Sequence, residues 1–185
     1  MKIKFPDIRS IHTIVFDFDG VFTDNKVYVS EAGLESIRCD RGDGLAFDIL
    51  RTVCAKKQLN LEYFILSKEK NAVVEMRAKK LKIPCFSGVG NKLNFMEKYF
   101  VEQRPNDSDP FSGFIYLGND LNDLPAIDRA GFSVVPNNAH CMVKFAASVA
   151  LPQNGGDGFV RAFIEKLLGI EKLAIGEVYE LISNS

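Results

Sequence analysis

The sequence predicts an α/β fold in which a mainly parallel sheet carries helices on both faces. Short apolar runs at residues 14–16, 61–66 and 114–117 alternate with longer segments of helical periodicity. This alternation is typical of parallel strands joined by crossover helices. The 185 residues suffice for one domain with a sizeable core, so we expect residues 1–185 to form a single domain.

Composition argues against several classes of protein. With 23 basic and 24 acidic residues the net charge is −1, and no basic excess favours a nucleic-acid or membrane-surface partner. No run approaches the roughly 20 apolar residues of a membrane span, and residues 1–12 lack the apolar core of a signal peptide. The scattered cysteines form no CxxC pair, which indicates reduced, mostly buried thiols of a cytoplasmic protein. These are Cys39, Cys54, Cys85 and Cys141.

Residues 14–24 change from a buried strand into an acidic loop. Residues 14–16 are all apolar, and Gly20 permits a sharp turn with positive φ. Asp17 and Asp19 are two positions apart, so near-extended backbone turns both side chains to the same side. Adjacent carboxylates repel each other unless a cation or a reaction uses them, and such oxygen ligands favour Mg²⁺ or a similar ion. The alternative is a capped strand with chance acidic residues.

A small β-hairpin is predicted over residues 26–40, beside these carboxylates, because two β-rich runs flank a turn at residues 30–33. A helix over residues 45–56 follows, with Asp43 as its predicted N-cap. Arg41 has a possible role near a substrate, and a solvated arginine is the alternative that the sequence favours.

Two further residues occupy positions suited to a phosphate group. Ser67 ends the strand of residues 61–66 just before a helix that runs to about Leu81, where free amides and the helix dipole attract anions. Helix capping is the alternative role for Ser67. Lys92 opens a helix that runs to about Gln103, and a lysine there opposes the dipole unless it serves an anion. A surface lysine is the alternative.

Acidic and amide side chains also follow the strand of residues 114–117, at residues 118–123. The remaining chain predicts further alternation of helices and strands, a flexible glycine-rich loop and a C-terminal pair of helices. The expected elements are a helix at 124–130, a strand at 132–135, a helix at 137–146, an edge strand at 148–151, the loop at 153–158, and helices at 159–168 and 170–182 within a C-terminal region of 153–185.

Taken in order, Asp17/Asp19, Ser67, Lys92 and residues 119–123 resemble the four motifs of the haloacid dehalogenase-like (HAD) superfamily, whose first motif reads DxDGxxTD. The likeness extends from about residue 11 to residue 168. It implies a Rossmann-like HAD fold with a small hairpin flap and no separate cap domain. Within the superfamily the chain is similar to the capless sugar-acid phosphatases, including the phosphatase-like domain of N-acylneuraminate cytidylyltransferases.

The resemblance implies a role for each motif residue. Asp17 is the expected nucleophile, Asp19 the general acid and base, and both bind Mg²⁺ together with Asn119. Ser67 and Lys92 hold the phosphate. The superfamily commonly has Asp where this chain has Asn119, which removes one charge and makes Asp120 the alternative ligand. Supporting roles are expected for Thr23, Asp120 and Asp123, and substrate contacts for Glu69, Arg161, Asp43 and Gly44.

The resemblance also bears on substrate and assembly. Residues 65–71 and 118–123 look more like the group acting on nine-carbon ulosonate 9-phosphates than like the 3-deoxy-manno-octulosonate 8-phosphate phosphatases, which are the alternative. A non-catalytic oligomerising domain and a phosphotransferase such as a mutase are further alternatives. Residues 155–161 resemble an element that reaches into an adjacent site, which implies a homotetramer completed by Arg161. A helix N-cap loop with a solvated arginine is the alternative.

Overall fold

The computed structural model describes residues 4–183 as eight strands, seven α-helices and three short 3₁₀ turns. The strands are β1 (Thr13–Phe16), β2 (Tyr28–Val29), β3 (Glu35–Ser36), β4 (Glu62–Leu66), β5 (Cys85–Phe86), β6 (Phe114–Leu117), β7 (Phe132–Val135) and β8 (Val149–Ala150). The helices are α1 (Gly42–Lys57), α2 (Ala72–Leu81), α3 (Lys92–Gln103), α4 (Leu124–Arg129), α5 (Cys141–Ala146), α6 (Phe159–Leu168) and α7 (Ile175–Ser183). The 3₁₀ turns are Ile8–Ser10, Leu121–Asp123 and Ile170–Lys172.

Six strands form one sheet in the order β5-β4-β1-β6-β7-β8, and every neighbouring pair is parallel. The first strand in the chain therefore lies inside the sheet, with Phe16 opposite Ile65 on one side and Leu117 on the other. The carboxyl ends of β1, β4 and β6 meet at one edge. The structure confirms the predicted mainly parallel α/β fold.

The helices cover both faces of this sheet, as predicted. Alternate residues of β1 point to opposite faces, so Ile14 and Phe16 pack in one hydrophobic cluster and Val15 packs in another. The first cluster includes side chains of α1, α2 and α6, and the second includes side chains of α3, α4 and α5. Because helices cover both faces of the sheet, successive residues of a strand are all buried, which explains why the strands appear in the sequence as continuous apolar runs.

The predicted hairpin is present as a flap of β2 and β3, which pair in antiparallel fashion between β1 and α1. An isolated bridge between Thr23 and Cys39 closes its base. Arg38 ties the flap to the rest of the chain through Asp24 at 3.1 Å and Asp157 at 2.7 Å. The flap takes the place of a cap domain.

Several element boundaries differ from the sequence predictions. Asp43 does not cap α1: the helix begins at Gly42, and Asp43 is buried within its first turn. The helix expected from residue 137 begins only at Cys141, because His140 Nδ1 accepts from the backbone N–H of Met142 and caps it. The helix expected over residues 170–182 breaks at Leu173, whose backbone is extended. α7 then begins afresh at Ile175.

The glycine-rich loop expected to be flexible is instead packed against the acidic loop that follows β1. Gly155 and Gly156 are buried, and the N–H of Gly156 donates to Val21 O at 3.2 Å. A Cβ on Gly155 would overlap the carbonyl of Gly20, and one on Gly156 would collide with the backbone of Thr23 and Asp24. Glycine is needed at both positions because two backbones meet there without room for a side chain.

Two other expectations concern the cysteines and the membrane. All four cysteines are free, but the expectation that most are buried is wrong, because Cys39, Cys54 and Cys85 are half-buried and Cys141 is exposed. Over residues 4–183, no helix has the length and apolar character required to cross a membrane.

Candidate active site

The acidic loop begins where β1 ends at the carboxyl edge of the sheet. The backbone N–H of Asp17 still donates to Leu117 O at 2.8 Å, so β6 fixes the position of Asp17. Gly20 then turns the chain with φ of +75°. Thr23 Oγ1 accepts from the N–H groups of Gly20 and Asn25, both at 3.1 Å. Thr23 therefore holds the loop closed, which is a supporting role in structural terms.

A cavity of about 120 Å³ lies above this edge and brings together residues from three strand ends. Six of its lining residues were expected at the site from the sequence: Asp17, Asp19, Ser67, Glu69, Asn119 and Asp120. Three others were not expected: Asn25, Lys68 and Asn122. Lys68 and Asn122 nevertheless lie in the stretches 65–71 and 118–123 that the sequence marks. Asn25 is set apart only by its positive φ of 62°, a property of the backbone that the sequence does not display.

Lys92 does not line this cavity but is buried between two carboxylates, one of which, Asp17, does line it. We call this arrangement the Lys92 cluster (Asp17, Lys92 and Asp123). The Nζ of Lys92 is 2.6 Å from Asp17 Oδ1 and 2.7 Å from Asp123 Oδ1. All three residues are buried. Lys92 is the first residue of α3, so the two anions offset its unfavourable place at the positive end of the helix. The surface-lysine alternative is wrong.

Burial dominates the ionisation of these groups. It raises the pKa of Asp17 to about 8, and the negative charge of Asp123 adds to the effect while Lys92 opposes it. Burial also raises the pKa of Asp19, helped by the charges of Glu69 and Glu35. For Lys92 burial lowers the pKa, but Asp17 and Asp123 outweigh it and the pKa is raised, so the ammonium keeps its charge.

Ser67 follows β4 and is buried, with its Oγ accepting from the N–H of Glu69 at 3.1 Å. It does not lie at a helix N-terminus, as the sequence suggested, because α2 begins only at Ala72 and Asn71 caps it through the N–H of Val73. The helix-capping alternative for Ser67 is therefore wrong as well. Since its Oγ only accepts in this bond, the hydroxyl proton remains available to an anion in the cavity.

The oxygen atoms around the cavity fit a hard divalent cation. Among residues 4–183 no group of three or more His, Cys, Asp and Glu side chains could hold a metal ion, so the protein ligands of a metal here must include amide or backbone carbonyl oxygens. The Asn119 backbone is fixed on both sides, donating to Asp123 Oδ2 at 2.8 Å and accepting from the N–H of His140 at 2.9 Å. Carboxylate, amide and backbone carbonyl oxygens together suit Mg²⁺, which retains several water ligands.

A second cavity, of about 310 Å³, lies between the flap and α2 and adjoins the first. Asp19, Asn25 and Glu69 line both cavities. The remaining wall combines apolar side chains with an acid and an amide: Phe18, Val27, Ile37, Val73, Val74, Glu35 and Asn71. Asn71 donates to Glu35, which links the flap to the start of α2. No pattern in the sequence singled out Glu35, whereas Asn71 belongs to the stretch 65–71 that resembles the nine-carbon group.

The other expected substrate contacts lie outside both cavities within this single chain. Asp43 is buried 3.8 Å from Arg77, which also donates to the backbone oxygen of Asp40 at 2.5 Å, and we call these three residues the Arg77 cluster. Burial raises the pKa of Asp43 to about 7, although Arg77 opposes the effect. Arg161 instead pairs with Glu165 at 2.7 Å, and its side chain covers the backbone of Gly42. Gly44 borders neither cavity.

Comparison with solved structures places the chain among phosphatases of similar length. A HAD family hydrolase from Streptomyces avermitilis is 36% identical with a TM-score of 0.79, over 90% of each chain. A YrbI family phosphatase from Pseudomonas syringae pv. phaseolica is 30% identical with a TM-score of 0.78, over 96% of each chain. A 3-deoxy-D-manno-octulosonate 8-phosphate phosphatase from Moraxella catarrhalis, crystallised with magnesium, phosphate and the sugar acid, is 25% identical with a TM-score of 0.76, over 88% of each chain.

Curated relatives divide between two kinds of protein. N-acylneuraminate cytidylyltransferase A of Danio rerio is 26% identical over 89% of this chain, but the match spans only 36% of that longer protein. The 3-deoxy-D-manno-octulosonate 8-phosphate phosphatase KdsC of Salmonella typhi is 29% identical over 86% of this chain and 80% of the relative. No family model matches the chain.

Proposed function

Since this chain belongs to the HAD family of hydrolases, we propose that it is a metal-dependent phosphatase that removes phosphate from a sugar acid through an aspartyl-phosphate on Asp17. The observation that carries the proposal is the pairing of Asp17, which lines the cavity, with the buried Lys92 at 2.6 Å. Attack on phosphorus needs Asp17 in its ionised form, which the Lys92 ammonium beside Oδ1 favours against the effect of burial on the pKa. Oδ2 is then the oxygen that we assign to the attack.

The reaction divides into two displacements, each easier than direct hydrolysis. In the first, Asp17 Oδ2 forms a bond to phosphorus, the bond from phosphorus to the sugar oxygen breaks, and Asp19 gives its proton to that oxygen. In the second, Asp19 takes a proton from water, whose oxygen attacks phosphorus and releases Asp17 with inorganic phosphate. The raised pKa of Asp19 suits the first step, which needs the protonated acid.

Binding of the phosphate group falls to Ser67 and Lys92, which border the attacking carboxylate and can donate to phosphate oxygens. Asp17, Asp19 and Asn119 would hold Mg²⁺, with Asp19 contributing its backbone carbonyl, Asp120 as the alternative ligand and Thr23 supporting the loop. A cation bound by these residues would offset the repulsion between the carboxylates and the phosphate. The magnesium and phosphate named with the Moraxella catarrhalis structure support this choice of ion.

For the substrate we propose a nine-carbon ulosonate 9-phosphate of sialic-acid type. The adjoining cavity supports this choice, because Glu69 and Glu35 can bind hydroxyl groups while Val73 and Val74 can pack against the methyl of an acyl group. The likeness to the zebrafish cytidylyltransferase points the same way. The likeness to KdsC favours a second candidate, hydrolysis of 3-deoxy-manno-octulosonate 8-phosphate.

Two assays test this function in order. Release of phosphate from an aryl phosphate, measured with and without Mg²⁺, tests the phosphatase activity, and no release under either condition would favour a non-catalytic domain. A panel of sugar-acid phosphates then tests the substrate. We expect kcat/KM to be highest for the nine-carbon substrate, and a higher value for the eight-carbon phosphate would reverse that assignment.

Substitution of Asn119 tests the proposed metal site. Asn119→Asp adds a charged oxygen and should lower the Mg²⁺ concentration that gives half-maximal activity about tenfold, while Asn119→Ala should raise it. Isothermal titration with Mg²⁺ alone provides a readout that does not depend on turnover. If neither variant changes Mg²⁺ affinity, Asp120 becomes the candidate ligand.

The assembly that we propose is a cytoplasmic homotetramer in which Arg161 completes the site of a neighbouring subunit. The flap supports this, because its exposed strands carry Tyr28 and Val29, both more than half exposed, and an open strand edge invites pairing with another copy. Within one chain Arg161 reaches neither cavity. Light scattering should give about four times the monomer mass, and a fully active monomer would contradict the proposal.

A further inference from the structure

Strand β6 contains one polar side chain that the proposed mechanism does not use, that of Tyr116. All four residues of the strand are buried, and the other three are Phe114, Ile115 and Leu117. Phenylalanine at position 116 would fill nearly the same space without placing a hydroxyl in the core. An unpaired hydroxyl there would cost free energy, so the partner of this group matters.

The hydroxyl of Tyr116 donates to Asp123 Oδ1 at 2.7 Å, and the same oxygen accepts from Lys92 Nζ at 2.7 Å. Asp123 Oδ2 accepts from the N–H groups of Asn119 and Asp120 at 2.8 and 3.2 Å. The fully buried carboxylate of Asp123 therefore has four donors. Its place is fixed from the strand, from the start of α3 and from the loop that carries Asn119.

We propose that Tyr116 is a positioning residue of the reaction, which acts on Lys92 through Asp123. The proposal rests on the phosphatase function. By donating to Oδ1, the phenol offsets part of the negative charge that Asp123 presents to Lys92. The ammonium is then shared with Asp17, 2.6 Å away on the opposite side, and remains available to phosphate oxygens.

Loss of the Tyr116 hydroxyl should shift the sharing of Lys92 toward Asp123. With one donor fewer, Asp123 Oδ1 binds Lys92 more strongly and draws it away from Asp17. Lys92 still satisfies Oδ1, so no buried acceptor is left without a partner. The effect should therefore fall on kcat more than on folding, because Lys92 is needed where charge develops in the transition state.

Tyr99 offers a matched control for the same chemical change. Its hydroxyl also donates to a carboxylate, Glu62 Oε2 at 3.1 Å, and its ring belongs to an aromatic cluster that lines neither cavity of the site. Tyr99→Phe thus removes a hydroxyl that serves structure alone. A comparison of the two variants separates the loss of a hydrogen bond from the loss of its effect on Lys92.

The kinetic test uses an aryl phosphate with saturating Mg²⁺ on the intact chain. We expect Tyr116→Phe to lower kcat about tenfold with KM within about twofold, as for loss of one hydrogen bond to a charged group. Tyr99→Phe should leave both parameters within about twofold. A wild-type kcat in Tyr116→Phe, or an equal loss in Tyr99→Phe, would overturn the inference.

A second readout does not depend on turnover. The ¹⁵N NMR signal of the Lys92 ammonium, assigned by its loss in Lys92→Gln, should shift in Tyr116→Phe and stay in place in Tyr99→Phe. An unchanged Lys92 signal in Tyr116→Phe would refute the inference. A wild-type chain that releases no phosphate would refute the proposed function instead, and the NMR comparison would still decide whether Tyr116 positions Lys92.

Discussion

The Lys92 cluster and the Arg77 cluster each combine two aspartates with one cation, but they differ in burial and in pairing. All three residues of the Lys92 cluster are buried, whereas in the Arg77 cluster Asp43 is buried and the other two residues are half-buried. In the first, Lys92 Nζ lies 2.6 and 2.7 Å from its two carboxylates. In the second, Arg77 is 3.8 Å from Asp43. Within residues 4–183, Asp43 Oδ1 and Arg77 Nε are buried atoms without a hydrogen-bond partner.

The two clusters show that the burial of an aspartate does not by itself indicate a catalytic role. Burial raises the pKa of an aspartate in both clusters, to about 8 for Asp17 and about 7 for Asp43. A shifted pKa alone would therefore nominate both. Of the two clusters, only the Lys92 cluster has its cation in close contact with both carboxylates and also has a residue, Asp17, that lines a cavity. We therefore expect catalysis at the Lys92 cluster and a structural role for the Arg77 cluster.

The largest effect is expected for Asp17→Asn. The amide cannot attack phosphorus, so turnover should fall by at least about 10³-fold while the fold is kept. Phosphate release measures turnover and circular dichroism measures the fold. The control is Asp48→Asn on α1, a half-buried aspartate that also pairs with a cation, Arg51, but lines neither cavity. Mass spectrometry excludes deamidation back to Asp17. Multiple turnovers by the intact amide would remove Asp17 from its assigned role.

A smaller effect is expected for Asp123→Asn, compared with Asp43→Asn. An amide oxygen cannot serve the four donors that face Asp123, so Lys92 loses its support and kcat should fall about 10²-fold. Asp43→Asn should change kcat by no more than about twofold. Both are measured below the unfolding temperature of each variant. Equal losses would show that the two clusters do not differ in function.

Arg161→Ala examines the side of the molecule that carries the Arg77 cluster. If Arg161 completes a neighbouring site, KM should rise about tenfold with little change in unfolding temperature, as expected for a lost charged contact. Glu165→Gln, which removes the partner of Arg161 within the chain, is the control. A lower unfolding temperature with unchanged KM would instead favour the helix N-cap alternative.

Titration of Asp43 by a change of pH is expected to have the smallest effect on activity but a distinct effect on stability. The folded chain raises the pKa of Asp43 from 3.8 to about 7, so the folded state binds a proton more tightly than the unfolded state between these values. Stability therefore falls as pH rises through this window and is constant above it. The unfolding free energy of the wild type relative to Asp43→Asn should decline between about pH 4 and pH 7. A difference that is independent of pH would contradict the burial of this carboxylate.

Much of the fold was predictable because parallel strands buried on both faces read as apolar runs. The bounds of β6, β7 and α6 follow directly from such runs and from helical periodicity. Predictions failed where a side chain competes for the backbone. His140 and Asn71 cap their helices through side-chain atoms. Neither helix start stands out in the sequence, because polar residues such as Asn are also common in loops and turns.

The candidate site was predictable in part, because carboxylates after parallel strands meet at one edge. The buried position of Asp43 could not be predicted from the sequence, since it depends on the packing of α2 and α6 against α1. The contribution of Tyr116 was visible only as a hydroxyl in an apolar strand, and its partner Asp123 is known only from the fold.

The contact of Gly155 and Gly156 with the loop at Gly20 has a consequence for the order of events during translation. Residues 14–24 are synthesised before residues 155 and 156, whose backbone packs against them. Domains acquire such distant contacts only when the later segment is available. A nascent chain that stops before residue 155 already contains Asp17, Ser67, Lys92 and Asn119. We nevertheless expect it to be inactive until Gly155 and Gly156 have been synthesised and pack against the loop.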